Sequence, residues 1–474
     1  MKIKADLFHF HCSSRFLFFL LPTVLIILYF LSPVFAKNND IQNRPLLRTS
    51  LKTWEKTFDN PGFVNSIQQT CDGGYILITS EGTIIKLDSN GDKIWEKAFG
   101  GAATSIQQAF DGGYIVAGST GTESFDTTGI DEQKPDVRII KLNDSGNKIW
   151  EKHYGGDEFD WAESIQQTTD GGYIVAGHTY TGDTYTATTS SPGGEDEKYN
   201  YRLQDIYVIR LDDNGDKAWE KTYKCSEVSI NRANAVQQTS DDGYIVVGNG
   251  RYFAEQNEFS GIYIIKLDSN GDKKWEKIYD RGSAKSIQQT SDSGYIVAGI
   301  ISPTESTYFY VIKLDNDGNK VWENTYKKRS LNEATCIRQT SDDGYIVAGH
   351  IYDTPYWEDD YTRIRPEPNI YIIKLNNRGT KVWDKIYDNG ATAHSVQETS
   401  DGGYIIGGSR LIEEEANDPN IKIKMCYLYI IKTDANGSMQ KDPKTAPPQF
   451  PSKSGCFILY LRHQIAGLLL KFNY

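Results

Sequence analysis

Residues 66–80 read SIQQTCDGGYILITS, residues 164–179 read SIQQTTDGGYIVAGHT, and residues 286–299 read SIQQTSDSGYIVAG. Internal repetition at a fixed period limits the possible folds more than composition does, since each copy must be one small unit that buries its apolar faces against its neighbours. Three pieces recur in fixed order: IQQT followed by Asp-x-Gly-Tyr, an apolar run such as YIIKLD, and a Trp-Glu-Lys run. The Gly-Tyr pair ends at Tyr75, Tyr114, Tyr173, Tyr244, Tyr295, Tyr345 and Tyr404, and the tryptophans are Trp54, Trp95, Trp150, Trp219, Trp275, Trp322 and Trp383.

Each copy predicts four short strands, here named a (SIQQT), b (YIVAG), c (YIIKLD) and d (IWEKxY). Asp-x-Gly between a and b is turn chemistry, with Asp opening the turn and Gly supplying positive φ. Asn-Gly between c and d is a strong hairpin signal. Four-stranded antiparallel units of about 40–50 residues are the blades of β-propellers. The expected fold is therefore all-β, a seven-bladed β-propeller spanning 52–440. A lone strand d stands first, at Trp54, and the last copy lacks a tryptophan. The Trp54 strand is thus expected to complete the seventh blade, leaving no open sheet edge.

These residues resemble the DGGYIVAG-type propeller repeats of exported and cell-surface proteins of bacteria and archaea, a quinoprotein-like and kelch-like group. The resemblance covers about residues 52–437. It implies a propeller and mostly no assigned reaction. LDSNGDKIWEKAFGG, with Gly91 and Trp95 at Gly-x-x-x-Trp spacing, is also similar to the repeat of pyrroloquinoline-quinone enzymes. That likeness implies a related blade and no bound quinone: those enzymes typically have eight blades and often adjacent cysteines, whereas this chain has seven copies and no vicinal pair.

The ends read differently. Lys2, Lys4 and Arg15 precede an apolar run from Phe16 to Leu31, and Val34-Phe35-Ala36 offers small residues for cleavage. Residues 1–36 read as a secretory signal peptide or an uncleaved anchor. Residues 37–51 form an N-terminal linker, 441–455 a Pro-containing linker, and 456–474 a short apolar tail. The five cysteines after Ala36 have no metal-like spacing and form no disulfide framework. The formal net charge of −12 argues against a nucleic-acid backbone as partner.

If the repeat is scaffold, information sits where copies diverge. The a–b and c–d turns are uniform, but the b–c segments vary: SEGT in the first copy, HTYTGDTYTATTSSPGGEDEKYNYRLQD in the third, HIYDTPYWEDDYTRIRPEPN in the sixth and SRLIEEEANDPNIKIKMC in the seventh. Flat rings and carboxylates on one face suit sugar or peptide recognition. The candidates are Trp161, Tyr180, Tyr185, Tyr201, Tyr356, Trp357, Asp359 and Asp360. A second candidate set lines the axis: Gln68, Gln107, Gln166, Gln237 and Gln288, with Arg338 and Glu398 breaking the Gln-Gln pattern. Histidines are scattered, without a zinc motif, and no nucleophile elbow or P-loop occurs. No catalytic residue, metal or cofactor is assigned.

The expectation is an exported, monomeric scaffold that binds protein or glycan through its b–c face, touching membrane only through an uncleaved N-terminal segment. The rival reading is a quinoprotein-like oxidoreductase or other propeller enzyme with a site at the axis.

Overall fold

The computed structural model describes residues 52–121, 134–189, 197–226, 229–254, 257–280, 282–302, 306–328, 331–352, 367–415 and 422–439. Among these residues the chain forms 28 strands and no helix. Each sequence copy folds as read. In the second, a is Ala103–Gln108, b is Tyr114–Ser119, c is Val137–Leu142 and d is Lys148–Tyr154, hydrogen-bonded in that order. Five sheets have four strands, and an eight-stranded sheet joins the third and fourth copies through one parallel bridge, Gln204 to Ile230. This sheet architecture matches a propeller. The N-terminal strand Trp54–Pro61 lies antiparallel to Lys422–Thr433, with Trp54 opposite Lys432 and Phe58 opposite Leu428.

Strand b is apolar on both faces because both faces are covered. Ile115, Ala117, Val137 and Ile139 of the second copy pack with Ile165, Tyr173, Val175 and Ile209 of the third. Val64, Ile67 and Leu77 of the first copy pack in the same way with Ile405, Leu428 and Ile430 of the seventh.

Tryptophan locks each sheet to its neighbour. The c–d turn glycine adopts positive φ and lies flat under the indole of the preceding d strand. A Cβ on Gly91, Gly146, Gly215, Gly271, Gly318, Gly379 or Gly437 would come within 2.6–2.9 Å of its nearest neighbour, and at every one of these glycines that indole lies against the site. The same indoles meet the strand-b tyrosine, as in Trp95–Tyr114, with centroids 5.8 Å apart at 66°. The Gly91–Trp95 spacing therefore joins neighbours: Trp95 seats on Gly146, and Gly91 receives Trp54.

One element departs from the sequence reading. The IIKL run is not wholly apolar inside: Lys86, Lys141, Arg210, Lys266, Lys313, Lys374 and Lys432 are all buried. Each cation reaches the aspartate of its own a–b turn: Asp72, Asp111, Asp170, Asp241, Asp292, Asp342 and Asp401. Burial by itself would raise the Asp72 carboxyl, but the Thr70 hydroxyl and the Lys86 ammonium outweigh it and hold it at about 2.

Candidate functional site

The long b–c segment of the third copy is a hairpin rather than an irregular loop. Strand b runs Tyr173–Thr189 and strand c Glu197–Leu211, paired out to Thr189 opposite Glu197. The Thr- and Tyr-rich stretch has high strand propensity, so the ladder continues past the repeat. The fourth copy extends likewise, with Tyr244–Ala254 against Asn257–Leu267, and so does the seventh, with Tyr404–Glu415 against Lys422–Thr433. All three project on the b–c side, while the a–b and c–d turns keep one hydrogen-bonding pattern throughout.

Two of the aromatic candidates do not present open rings. Trp161 is 6% exposed and stacks on His178, with centroids 6.4 Å apart at 12°. Tyr180 is 5% exposed and meets Phe159 edge-on. Burial, then the Arg232 charge, pushes the His178 imidazole well below its usual range, so it is neutral. Tyr185 and Tyr201 sit opposite each other on the hairpin and are half-buried. Two arginines lie on aromatic rings here: Arg202 faces Phe159 and Tyr180 at 5.2 and 5.6 Å, and Arg251 covers Tyr201 at 4.7 Å. Tyr356, Trp357, Asp359 and Asp360 fall outside the described residues.

The glutamines fasten neighbouring copies. The carboxamide oxygens of Gln68, Gln107, Gln166, Gln237 and Gln288 accept the backbone N–H of Gln108, Gln167, Gln238, Gln289 and Gln339. Gln397 accepts the N–H of Gln69 in the same way at 2.8 Å. Arg338 cannot accept. It donates instead to the Ser286 hydroxyl at 3.1 Å and to the Ile337 carbonyl at 2.8 Å. Glu398 takes the role of a second glutamine, accepting the N–H of Ser341 at 2.7 Å. These oxygens are spent between copies. The sequence shows each Gln pair but not its partner, which lies in the next copy.

The sequence does not reveal a histidine cluster whose members come from three copies: Glu333 and His350 of the sixth, Thr392 and His394 of the seventh, and Phe63 of the first. His350 Nε2 lies 3.6 Å from Glu333, the His350 and His394 rings are 6.1 Å apart, and Phe63 stacks on His394 at 4.9 Å. His394 Nε2 pairs with the Thr392 hydroxyl at 3.0 Å. Burial first, then the charges of His350 and Lys285 against the opposing pull of Glu333, brings His394 down to about 3. The folded pKa is below the unfolded value of about 6.5, so the unfolded chain gains a proton that the folded chain refuses. Stability should therefore fall as pH drops from about 6.5 toward 3. At pH 4.5 we expect a cost of about 1–2 kcal/mol after discounting for partial solvent contact. Urea midpoints of wild type and His394→Gln between pH 7 and 4.5 check this. An identical pH slope in the two proteins would refute it. Among the described residues no group of three or more ligating side chains is arranged to hold a metal.

No family model matches the chain, and no curated protein matches it. Solved structures similar to it include a protein of unknown function from Bacteroides caccae, at 10% identity over 69% of this chain and 94% of that one, with a TM-score of 0.37. Another is the Dos1 propeller, at 6% identity over 78% of each chain, with a TM-score of 0.43.

Proposed function

We propose that the protein is an exported, non-catalytic binding scaffold: seven blades in a closed ring that offers its b–c face to a protein or glycan. The pairing of Trp54–Pro61 with Lys422–Thr433, the seating of Trp54 on Gly91 and the Gln397–Gln69 bond support a closed ring. The observation that carries the functional reading is one-sided elaboration. Hairpins of the third, fourth and seventh copies extend on the b–c side, while the opposite turns stay uniform. Recognition residues favour segments held by a rigid scaffold. Tyr185, Tyr201 and the ring-stacked arginines supply flat apolar area and N–H donors for sugar hydroxyls or peptide carbonyls.

The test replaces residues 185–201 with Asn-Gly, closing the hairpin at the Thr184–Arg202 pair. Glycan and cell-envelope protein arrays are probed with wild type and the trimmed chain. The expected result is loss of at least about tenfold in affinity, or about 1.4 kcal/mol, with thermal unfolding unchanged. Full retention of every wild-type interaction would exclude this hairpin from the binding face.

A further inference from the structure

Strand a carries a bulge in every copy, and the bulge adds one residue between the conserved small residue and the Ser-Ile-Gln-Gln run. That added residue is the one that varies. In four copies it fastens the next copy: Asn65, Thr104, Asn234 and Thr335 donate to the carbonyls of Ala103, Ala162, Ala284 and Ala393 at 2.6–2.9 Å. In the fifth copy it is Lys285, which makes no hydrogen bond or ion pair among the described residues. Arg338 of the sixth copy departs in the same sense. In the other six copies the residue at its place is a glutamine whose oxygen accepts a backbone N–H of the next copy at 2.6–2.8 Å. Arginine has only donors, so the Glu398 N–H loses a bond that six copies make.

The two departures meet at one junction. Arg338 turns back to the fifth copy, where its Nη1 donates to the Ser286 hydroxyl at 3.1 Å and to the Ile337 carbonyl at 2.8 Å. Ser286 directly follows Lys285, and its hydroxyl also accepts the Ile337 N–H at 3.3 Å. Lys285 stands where four counterparts reach into the next copy, which here is the sixth. Both cations are half-buried. The Nε and Nη2 groups of Arg338 make no hydrogen bond, and neither cation an ion pair, among the described residues. Those two groups form the flat edge that grips a carboxylate by two parallel bonds. The carboxylates on the strands a alongside have other partners: Glu333 lies 3.6 Å from His350, and Glu398 accepts the Ser341 N–H and hydroxyl at 2.7 and 2.9 Å. Two cations that forgo the bonds of their counterparts call for an anion, and the charges of Glu333 and Glu398 limit it to a monoanion.

We propose that the junction of the fifth and sixth copies binds the carboxylate group of a small organic acid, with its oxygens on the Nε–Nη2 edge of Arg338 and its charge shared with Lys285. The site needs only these two copies side by side, so it stands or falls apart from the b–c face.

The probe is acetate, titrated into the full chain at constant ionic strength and followed by ligand-observed NMR, with acetamide and sulfate as comparisons. Saturable acetate binding is expected, with acetamide weaker by about tenfold or more, since a charged hydrogen bond is worth more than a neutral one. Sulfate, a dianion, should bind more weakly than acetate. Lys285→Asn and Arg338→Gln install residues that other copies carry, so each variant regains its bond to the next copy. Each should weaken acetate binding by about tenfold or more and raise the urea midpoint measured without acetate. Absence of saturable acetate binding overturns the proposal. So does equal affinity for acetamide, tighter binding of sulfate, or unchanged acetate affinity in either variant. A lower urea midpoint in both variants would show that the two cations serve the scaffold, and overturns it as well.

Discussion

Gly215→Val should destabilise the protein by about 3–5 kcal/mol, as the sum of a forced left-handed β-branched residue and an overpacked contact. Gly215 has φ +78, and an added Cβ would lie 2.8 Å from the Trp150 ring. The backbone cannot yield easily, because the Gly215 carbonyl also accepts the Tyr154 hydroxyl. A useful comparison is Gly402→Asp. Gly402 has φ +82, yet nothing lies within 4 Å of its added Cβ. Asp242, Ser293 and Asp343 already stand at the matching place in other copies with φ near 60 (59, 66 and 60). That substitution should cost about 1 kcal/mol or less. Urea unfolding of both variants separates steric seating from mere turn strain. Equal losses would show that the indole contact is not what requires glycine.

Asp342→Asn should cost about 2 kcal/mol and Lys374→Met about 1 or less, since an unpaired buried charge is worse than none. Lys374 is buried and donates to both Asp342 oxygens at 2.8 and 2.9 Å, to the Thr340 hydroxyl at 3.0 Å and to the Leu375 carbonyl at 3.2 Å. The Asp342 side chain is 65% exposed, so water softens the loss below that of a fully buried pair. Asn keeps the turn geometry and removes only the charge. Lys374→Met leaves an aspartate that can return to water and an apolar side chain in an apolar strand. Acid gives a second readout. Burial would raise Asp342, but Lys374 and Thr340 hold it at about 2. The folded value is below the unfolded value of about 3.9, so this contribution is complete above pH 4 and is lost as pH falls toward 2. Lys374→Met should shrink that acid limb. Lys374→Met proving costlier than Asp342→Asn would overturn the argument.

Much of the architecture is legible in the chain because its code is local. Strand runs, Asp-x-Gly turns and Asn-Gly hairpins are written within ten residues of each other. They recur often enough to place strands a to d wherever the structure describes them. The buried lysines were less legible. IIKL looks apolar, and its charge makes sense only once the ammonium is seen to reach back to the a–b turn aspartate. The extended hairpin of the third copy was hidden for another reason. It leaves the repeat, so divergence read as loop although Thr and Tyr favour strand there.

The sequence alone determined the repeat, the strand order and the side on which copies diverge, since these follow from turn chemistry and period-two patterning within one copy. Only the tertiary structure decided what the diverging side chains do. Gln68 meets a backbone N–H forty residues away at Gln108, Trp161 is buried against His178, and Arg338 turns back to Ser286. The physical reason is that sheets of this kind bury their faces against other sheets. A residue's partner therefore lies in the next copy, and its chemistry is settled only when the two copies are set side by side.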